Sequence, residues 1–523
     1  MSVGDSLTNW WEVVAAHAER DPDRVAVLDG DKTLTYRQVI EQSHQMAGWL
    51  VREGLRPGDR LGIHLRKGFE EIIATLAAVR LGSVFVNINP LMVPAQVKHI
   101  VFDAGIRILI AEPRRGAELL ADPRCAAQLK VITQGKDLSA ALDDAGGSLR
   151  LPASPGASQL AALFYTSGST GRPKGVMHSH GNLLAFAKNV ASYLKADRAD
   201  RVMGLLPISF SYGFNQLLTT LYVGAALILQ RAPFPAEIVK TIVQRGITGL
   251  AAVPSVWGQI LAYLDGEPAS MRSLRYVTNA GGKLSEKNAL RLSARLPHVR
   301  IFLMYGSTEV FRSTYLAPEA LTVKPGSIGR AIPNVEVYVV DAAGRLCGPG
   351  EQGELVHRGG GHVSQGYWNE PQQTEQRFRG CPALMDRCGD EKVYYSGDIV
   401  KLDEDGDLWF VGRSDWMIKS GGFRFSVEDV ESILARNELV KEVAVVPVDD
   451  EVMGQVTHAI VVAREGGQID AATLEKYCWK TMPSYMIPRI FHLSRDPLPL
   501  LSNGKLDRVS LRLGITNPAE GRD

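Results

Sequence analysis

The sequence of 523 residues has little net charge and no long apolar segment. Its 58 Lys and Arg residues nearly balance its 57 Asp and Glu residues, which gives a formal net charge of +1. This balance, without blocks of like charge, gives no reason to expect a nucleic-acid or membrane surface. No apolar run reaches the roughly 18 residues that a membrane-spanning helix needs, so no transmembrane segment is predicted.

Cysteines are also few, and the N-terminus lacks the features of a signal peptide. The first residues carry acidic side chains early and have no basic segment followed by an apolar one. No CxxC pair occurs, which argues against a zinc knuckle. We therefore expect a cytoplasmic protein with reduced thiols at its five scattered cysteines, which are Cys125, Cys347, Cys381, Cys388 and Cys478.

What the sequence does contain is a regular alternation of short apolar runs and helical patterns. Residues 60–65 read as a strand, 69–80 as a helix and 83–88 as a second strand. Continuous apolar strands that alternate with helices predict parallel sheets covered on both faces. Further strands of this kind are predicted near residues 131–132, 226–229, 249–253 and 300–304.

The pattern changes near Gly326. Short strands at 335–341, 353–358 and 407–411 are separated by Gly and Asp turns, which is typical of an antiparallel meander or small barrel. After Arg413, helices are predicted over 426–437 and 471–480, with strands at 440–448 and 457–463. This last part reads as a compact α+β unit.

A loop rich in Gly, Ser and Thr (residues 166–175, TSGSTGRPKG) follows a predicted strand at 161–165. Glycines let backbone N–H groups turn inward around an anion, hydroxyls add donors, and Lys174 supplies a charge for phosphate oxygens. The spacing is not that of a Walker A motif, which argues against a P-loop NTPase. Such a composition is also typical of surface linkers, but the strand before the loop and the helix predicted near His180 favour phosphate binding.

Five further stretches follow this loop in order: YGSTE at 305–309, YSGD at 395–398, GRSD at 412–415, KSGGFR at 419–424 and SNGK at 502–505. Together they resemble, over nearly the whole chain, the adenylate-forming superfamily of acyl-CoA synthetases, nonribosomal-peptide adenylation domains and firefly luciferase. The resemblance implies an α/β fold. It places two parallel-sheet subdomains and a small β-barrel in a large N-terminal domain, residues 1–414, and a mobile α+β domain in residues 415–523.

The resemblance also implies that ATP and Mg²⁺ are used to activate a carboxylic acid as an acyl-adenylate. Glu309 would bind the metal, Asp398 would accept hydrogen bonds from the ribose hydroxyls beside Arg413, and Thr170 would touch the phosphates. Alone, Glu309 could be a solvated turn acid and Asp398 an Asx-turn residue. The predicted nucleotide-binding residues are Thr166, Ser167, Gly168, Ser169, Thr170, Gly171, Lys174, Gly281, Gly282, Tyr305, Gly306, Ser307, Thr308, Asp398 and Arg413, with the backbone of Gly281 and Gly282 against adenine and Tyr305 on its other face.

The C-terminal stretches resemble the moving parts of the family. Lys505 matches the catalytic lysine that bridges the carboxylate and the α-phosphate, although a lone lysine is usually a solvated charge. Asp415 matches the hinge about which the C-terminal domain swings, with a helix cap as its alternative. Gly421, Gly422 and Arg424 would then face the tunnel for the incoming thiol.

The acyl pocket is predicted around residues 206–214. Amino-acid-activating members usually place an aspartate at the Ser211 position, and its absence would leave a substrate ammonium without a counter-charge. Many CoA ligases have histidine where Phe210 stands. The aromatic and aliphatic content favours a fatty or arylalkyl acid. The predicted lining residues are Phe210, Ser211, Tyr212, Gly213, Asn215, Ala280, Met304 and Arg312.

Two charged or polar features of this region have more than one interpretation. Arg312 could pair with a second carboxylate on the substrate, but we favour a structural ion pair with a neighbouring loop. His178 and His180 lack further clustered ligands, so we expect packing and a helix start rather than a metal site.

The leading hypothesis is therefore an AMP-forming acyl-CoA synthetase with CoA as the acceptor. A standalone adenylation enzyme that loads an acyl or amino acid onto the phosphopantetheine of a separate carrier protein is the alternative, and a luciferase-like oxygenase a remote one. A non-catalytic binding protein is disfavoured because Lys174, Glu309, Asp398, Arg413 and Lys505 are all present. We expect a monomer or homodimer without a nucleic-acid partner.

Overall fold

The computed structural model describes residues 7–135, 137–138, 151–167, 173–266, 270–359, 361–413, 417–464, 469–499 and 506–516. Within them, no helix is long and apolar enough to cross a bilayer. The first part of the chain contains, in order, α1 (Trp10–Arg20), β1 (Val25–Asp29), β2 (Lys32–Thr35), α2 (Tyr36–Arg52), β3 (Arg60–His64), α3 (Phe69–Leu81), β4 (Val84–Asn87), α4 (Pro94–Ala104), β5 (Ile106–Ala111), α5 (Pro113–Leu120), α6 (Pro123–Gln128) and β6 (Lys130–Thr133).

The second part supplies most of a larger sheet. Its elements are β7 (Leu160–Ser167), β8 (Pro173–Ser179), α7 (His180–Leu194), β9 (Arg201–Gly204), α8 (Ser211–Tyr222), β10 (Ala226–Leu229), α9 (Pro235–Arg245), β11 (Gly249–Ala252), α10 (Pro254–Gly266), β12 (Tyr276–Asn279), α11 (Glu286–Arg295), β13 (Arg300–Tyr305) and β14 (Thr314–Leu316).

The remaining elements are shorter up to residue 413 and longer after it. They are β15 (Arg330–Ala331), β16 (Glu336–Val340), β17 (Gln352–Arg358), α12 (Pro371–Arg377), β18 (Phe378–Arg379), α13 (Met385–Cys388), β19 (Val393–Leu402), β20 (Leu408–Arg413), β21 (Met417–Ser420), β22 (Phe423–Ser426), α14 (Val427–Leu434), β23 (Val440–Asp450), β24 (Gly454–Ala463), α15 (Ala471–Thr481), β25 (Ile490–Ser494) and α16 (Arg508–Thr516). Single 3₁₀ turns lie at Pro318–Ala320, Pro382–Leu384 and Ser484–Met486.

Two mostly parallel sheets form the bulk of the fold. One has six strands in the order β6-β5-β3-β4-β7-β8, and the other has nine in the order β15-β14-β13-β12-β11-β9-β10-β1-β2. In the described residues, antiparallel pairing in these sheets is confined to their margins, at β8 in the first sheet and at β2, β14 and β15 in the second. The apolar helix α3 is buried on nearly all sides in the largest core cluster. These sheets confirm the predicted α/β class.

The two smaller sheets also agree with the antiparallel meander and the α+β unit predicted from the sequence. Strands β16 to β20 form an antiparallel sheet in the order β16-β17-β19-β18, with β20 on β19. The last sheet has the order β22-β21-β24-β23, with β25 parallel to β24 and its own core under α14 and α15. The helix predicted over 426–437 is shorter than expected. It ends at Leu434, and the main-chain N–H groups that follow bond back to the last helical turn to form a turn before β23. All five cysteines are free.

Candidate active site

The predicted phosphate loop forms the tip of an antiparallel hairpin. Strand β7 continues through Thr166 to Ser167, β8 begins at Pro173, and Thr166 faces Lys174 across the ladder. The helix predicted near His180 does begin there, but the strand before it was not expected. β8 pairs with β7 from Pro173 to Ser179, and it is also bonded on its other side, where the N–H of Met177 donates to the carbonyl of Gly366. Residues 168–172 of the loop and the side chain of Ser167 lie outside the described residues. The roles of Ser167, Gly168, Ser169, Thr170 and Gly171 therefore stay predictions.

Tyr367 contacts two of the predicted site residues, Lys174 and Glu309, and was not predicted from the sequence. The Lys174 ammonium lies 3.8 Å from the centroid of the Tyr367 ring and 3.3 Å from Oε1 of Gln373. The Tyr367 hydroxyl donates to Oε1 of the buried Glu309 at 2.8 Å. The cation predicted for the phosphates and the carboxylate predicted for the metal therefore contact the face and the hydroxyl of one ring. The only sequence signal was an aromatic pair after a glycine, which has no specificity by itself.

A buried histidine and an aromatic cluster lie next to Glu309. His178 lies within 2.9 Å, through Nε2, of the carbonyl of Thr308, and its ring packs against Phe164 and Phe311. Burial lowers the pKa of His178 to about 4, so the imidazole is neutral near pH 7. A buried carboxylate oxygen is the type of ligand that Mg²⁺ prefers, and Glu309 thus fits its predicted role.

The predicted ribose carboxylate lies beside the predicted adenine ring partner. Asp398 on β19 is buried and accepts a hydrogen bond from the Tyr305 hydroxyl, and Arg413 stands opposite it in the β19–β20 ladder. The Arg413 side chain is outside the described residues. The rings of His357 and Tyr305 are stacked, with 6.4 Å between their centroids. Burial lowers the pKa of His357 to about 4, although the negative charges of Asp398 and Glu309 act to raise it. His357 was not predicted either, because it occupies an ordinary strand position in β17.

A cleft of about 850 Å³ lies between the N-terminal sheets and the last sheet. This size is within the range of small-molecule sites. The Lys419 ammonium projects across the cleft to within 5.1 Å of the Tyr305 ring centroid. Predicted nucleotide-binding or substrate residues line one wall, namely Gly281, Gly282, Met304, Tyr305 and Gly306, and the opposite wall includes Met417, Lys419, Gly454, Gln455 and Arg512.

The two glycine motifs meet in this region. A β-carbon on Gly281 would lie 3.3 Å from Cα of Gly422, and one on Gly422 would lie 2.4 Å from Cγ1 of Val253. Both residues have positive φ, +80° and +90°, which favours glycine. The predicted adenine segment and the predicted thiol loop are therefore in contact. Asp415 and the side chain of Arg424 lie outside the described residues.

Most of the predicted acyl-pocket residues lie together beneath α8. Tyr212, Ala280 and Met304 share one buried cluster, with Phe210 packed against it. A β-carbon on Gly213 would lie 2.0 Å from the carbonyl oxygen of Pro207, so glycine is required there. Ser211 begins α8 and is buried. A narrow cavity of about 30 Å³ lies next to these residues. Its lining includes Val190, Tyr212, Asn215, Tyr276, Thr278 and Met304.

Arg312 is buried beside this cluster, without the structural ion pair that we favoured. Its guanidinium carbon lies 4.1 Å from the centroid of the Tyr212 ring, and Nη1 donates to the carbonyl of Phe311. Among the described residues, no carboxylate pairs with it, and its Nε and Nη2 have no hydrogen-bond acceptor. The prediction was wrong because the side chains that interact with Arg312 belong to Tyr193 and Tyr212 rather than to an acidic loop.

Comparison with known proteins agrees with this arrangement of motifs. A family model described as AMP-binding enzyme matches residues 14–368, and one described as AMP-binding enzyme C-terminal domain matches residues 429–505. Bacitracin synthase 3 of Bacillus licheniformis is 32% identical over 499 residues, which cover 94% of this chain and 8% of that protein. A phosphinothricin tripeptide synthetase of Streptomyces viridochromogenes is 33% identical over 525 residues, which cover 97% of this chain and 42% of that protein. The chain thus spans less than half the length of these relatives.

Two solved structures of one enzyme resemble the chain to different degrees. A double mutant of the o-succinylbenzoate CoA synthetase of Bacillus subtilis, bound with its product analogue, has a TM-score of 0.86 at 25% identity, covering 97% of this chain and 98% of that one. The same synthetase in complex with its acyl-adenylate intermediate has a TM-score of 0.71 at 26% identity, with coverage of 97% and 98%. With both family models matched, the chain belongs to the AMP-binding enzyme family, within the adenylate-forming superfamily.

Proposed function

We propose that this chain is an AMP-forming acid–thiol ligase that activates a compact carboxylic acid and transfers the acyl group to the thiol of CoA. The observation that carries the proposal is the contact of Gly422 with Gly281 and Val253 at the cleft that Tyr305 lines. A glycine turn of the last sheet reaches the motif predicted to hold the nucleotide. The thiol-binding and nucleotide-binding elements would therefore converge on one reaction centre.

In the first half-reaction, a carboxylate oxygen of the acid attacks the α-phosphorus of ATP. The bond from the α-phosphorus to the oxygen that bridges it to the β-phosphorus breaks, and pyrophosphate leaves. Two anions must approach each other, so positive charge near the phosphates is needed. Lys174 supplies one such charge, held over the Tyr367 ring, and Lys505 would supply another. Mg²⁺ held at Glu309 would neutralise phosphate charge when bound. Asp398, fixed by the Tyr305 hydroxyl, would orient the ribose.

In the second half-reaction, the thiol sulfur attacks the acyl carbon, the acyl–phosphate bond breaks, and AMP leaves. Gly421 and Gly422 have no side chain that would obstruct a pantetheine arm. The higher TM-score to the synthetase with its product analogue than to the acyl-adenylate complex supports a thioester-forming orientation here. We place the domain boundary near Asp415, with residues 1–414 and 415–523 as the two domains that would exchange orientations.

The acid is proposed to be compact and without an ammonium group. Ser211 leaves the α-ammonium of an amino acid without a carboxylate partner in the predicted pocket. The narrow cavity of about 30 Å³ beside it has no room for an extended fatty chain. The serine at this position, in place of an aspartate, distinguishes the pocket from that expected of an amino-acid-loading enzyme.

A second candidate acceptor is the phosphopantetheine of a carrier protein, because a relative at 33% identity is a tripeptide synthetase. Both acceptors present the same thiol arm. Acid-dependent exchange of pyrophosphate into ATP across aryl, short-chain, dicarboxylic, fatty and amino acids tests the adenylation step. Mass spectrometry of the product with CoA or with a holo carrier protein then tests the acceptor. Absence of exchange with every acid would refute the proposed activity.

A further inference from the structure

Arg312 occupies a rigid position next to the predicted nucleotide motif. A β-carbon on Gly306 would lie 2.1 Å from the carbonyl oxygen of Phe311 and 2.9 Å from Cα of Arg312, so the two stretches are in direct contact. Phe311 has a φ of +48°, a region that is rarely populated by a bulky residue. It is fully buried and stacks on Phe186 at 4.2 Å. Such an unfavourable backbone persists only where the surrounding packing imposes it.

The charge of Arg312 is not neutralised by the described part of the protein. Its side chain is about 4% exposed, stacked on Tyr212, with Nη1 bonded to a main-chain carbonyl. Nε and Nη2 donate to no acceptor there. Burial lowers its pKa, but an arginine stays protonated in proteins. An uncompensated buried charge is strongly destabilising.

The unused nitrogens are those that hold a carboxylate side-on. Nε–H and Nη2–H point to the same side of the guanidinium plane and can donate two parallel bonds to one carboxylate. Arg330 uses this same edge to hold Asp407, at 3.0 Å from Nε and 3.3 Å from Nη2. Arg124 holds Asp122 in the same way, at 3.4 and 3.3 Å. Arg312 therefore presents the same donor pair without a carboxylate from the described residues in it.

The ring on which Arg312 stacks relates this residue to the predicted acyl pocket. Tyr212, on which Arg312 stacks, also lines the narrow cavity with Asn215 and Met304. Met304 lies at the same time on the wall of the large cleft. Arg312 thus lies where the predicted acyl pocket meets the predicted nucleotide site.

We propose that Arg312 binds a second carboxylate of the acid substrate, so that the enzyme activates one carboxyl group of a compact dicarboxylic acid. The inference rests on the proposed ligase function, whose first step it makes more specific. Arg312 would determine specificity without taking part in the bond changes, because the reacting carboxylate and the retained one are different groups.

The test compares each dicarboxylic acid with its monomethyl ester in pyrophosphate exchange, using the full chain. We expect the wild-type protein to prefer the di-acid by about 100-fold in kcat/KM, since loss of one partner of a buried charge pair has an effect of this order. In Arg312→Gln we expect this preference to disappear through a higher KM for the di-acid, with exchange of the monoester retained. Arg312→Lys keeps the positive charge but lacks the pair of parallel N–H donors, so it should give an intermediate preference for the di-acid.

Arg300→Gln is the matched control. Arg300 also packs over an aromatic ring, that of Phe302, and bonds a main-chain carbonyl, that of Leu194. Its replacement should leave the di-acid preference unchanged. As a readout independent of turnover, the preferred di-acid should raise the Tm of the wild-type protein and not that of Arg312→Gln.

The outcomes separate the two proposals. Equal use of di-acid and monoester by the wild-type protein would overturn the role of Arg312 and leave the ligase function standing. A similar loss with both substrates in Arg312→Gln would also overturn it, because Arg312 would then contact the reacting carboxylate or a phosphate. If Arg312→Gln does not fold, the wild-type preference and the Lys variant still decide. No exchange with any acid would refute the ligase function itself.

Discussion

Replacement of Gly422 by alanine should separate the two half-reactions. The new β-carbon would lie 2.4 Å from Cγ1 and 3.1 Å from Cβ of Val253, which belongs to the N-terminal part of the site. Ordinary carbon–carbon contacts are near 3.5 Å or more, so Val253 or the glycine turn must shift by about 1 Å. Overpacking of this kind typically costs about 1–3 kcal/mol.

This cost applies only to the orientation in which Gly422 contacts Val253. A value of about 2 kcal/mol corresponds to a decrease of about 30-fold in the rate of the step that needs this orientation. We therefore expect Gly422→Ala to lose about 30-fold in thioester formation from supplied acyl-adenylate. Pyrophosphate exchange should change by less than about threefold, because adenylation would use the other orientation.

Two further variants make the assay decisive. Gly421→Ala also places a side chain at positive φ, +55°, but its β-carbon meets only the terminal atoms of Met453, which can move. It controls for backbone strain in the same turn and should affect thioester formation less. Val253→Ala removes the methyl that Gly422→Ala would strike, so the double variant should recover thioester formation. Equal losses in both half-reactions, or no recovery in the double variant, would refute the reasoning.

The remaining predictions concern single groups. Tyr367→Phe keeps the ring beneath Lys174 and removes the hydrogen bond to Glu309, so pyrophosphate exchange should fall about tenfold, consistent with about 1.5 kcal/mol for a bond to a charged group; an unchanged exchange rate would show that the bond does not position Glu309. Lys505→Ala should abolish adenylation and leave thioester formation from acyl-adenylate largely intact, whereas equal losses would argue against two orientations. Burial lowers the pKa of His180 to about 4, so its imidazole binds a proton in the unfolded chain before it does so in the folded one as the pH falls. The contribution of His180 to the free energy of unfolding should be complete above about pH 6.5 and decline by about 3 kcal/mol towards pH 4. His180→Leu should reduce this slope in urea unfolding followed as a function of pH, and an unaltered slope would contradict the assignment.

The order and type of most elements could be predicted because local patterns specify them. The strand at Ala226–Leu229 and the helix at Ala471–Thr481 follow from apolar spacing that needs no distant partner. The hairpin at β7 and β8 could not be predicted in this way. Its second strand pairs with β7 and is also bonded, at Met177, to a segment near Gly366 almost two hundred residues away, and no local pattern contains that second partner.

The residues of the candidate site also divide into those that local sequence identifies and those that only the fold brings together. Motif residues such as Glu309 and Asp398 were identified by their surroundings in the sequence. Tyr367 and His357 were missed, because a tyrosine after a turn and a histidine in a strand have no local signal of function. Their significance comes from contacts with Glu309 and Tyr305, which the fold brings near them.

The family of this protein can be recognised in its amino-acid order alone, because a set of short motifs in a fixed succession specifies the nucleotide chemistry. The contact between Gly422 and Gly281, and the burial of Arg312 without an acid from the described residues, follow from the tertiary fold. Contact and burial depend on residues that are distant in sequence, so no local pattern contains them. The charge of Arg312 is an example, because only the tertiary fold buries it beside two tyrosines.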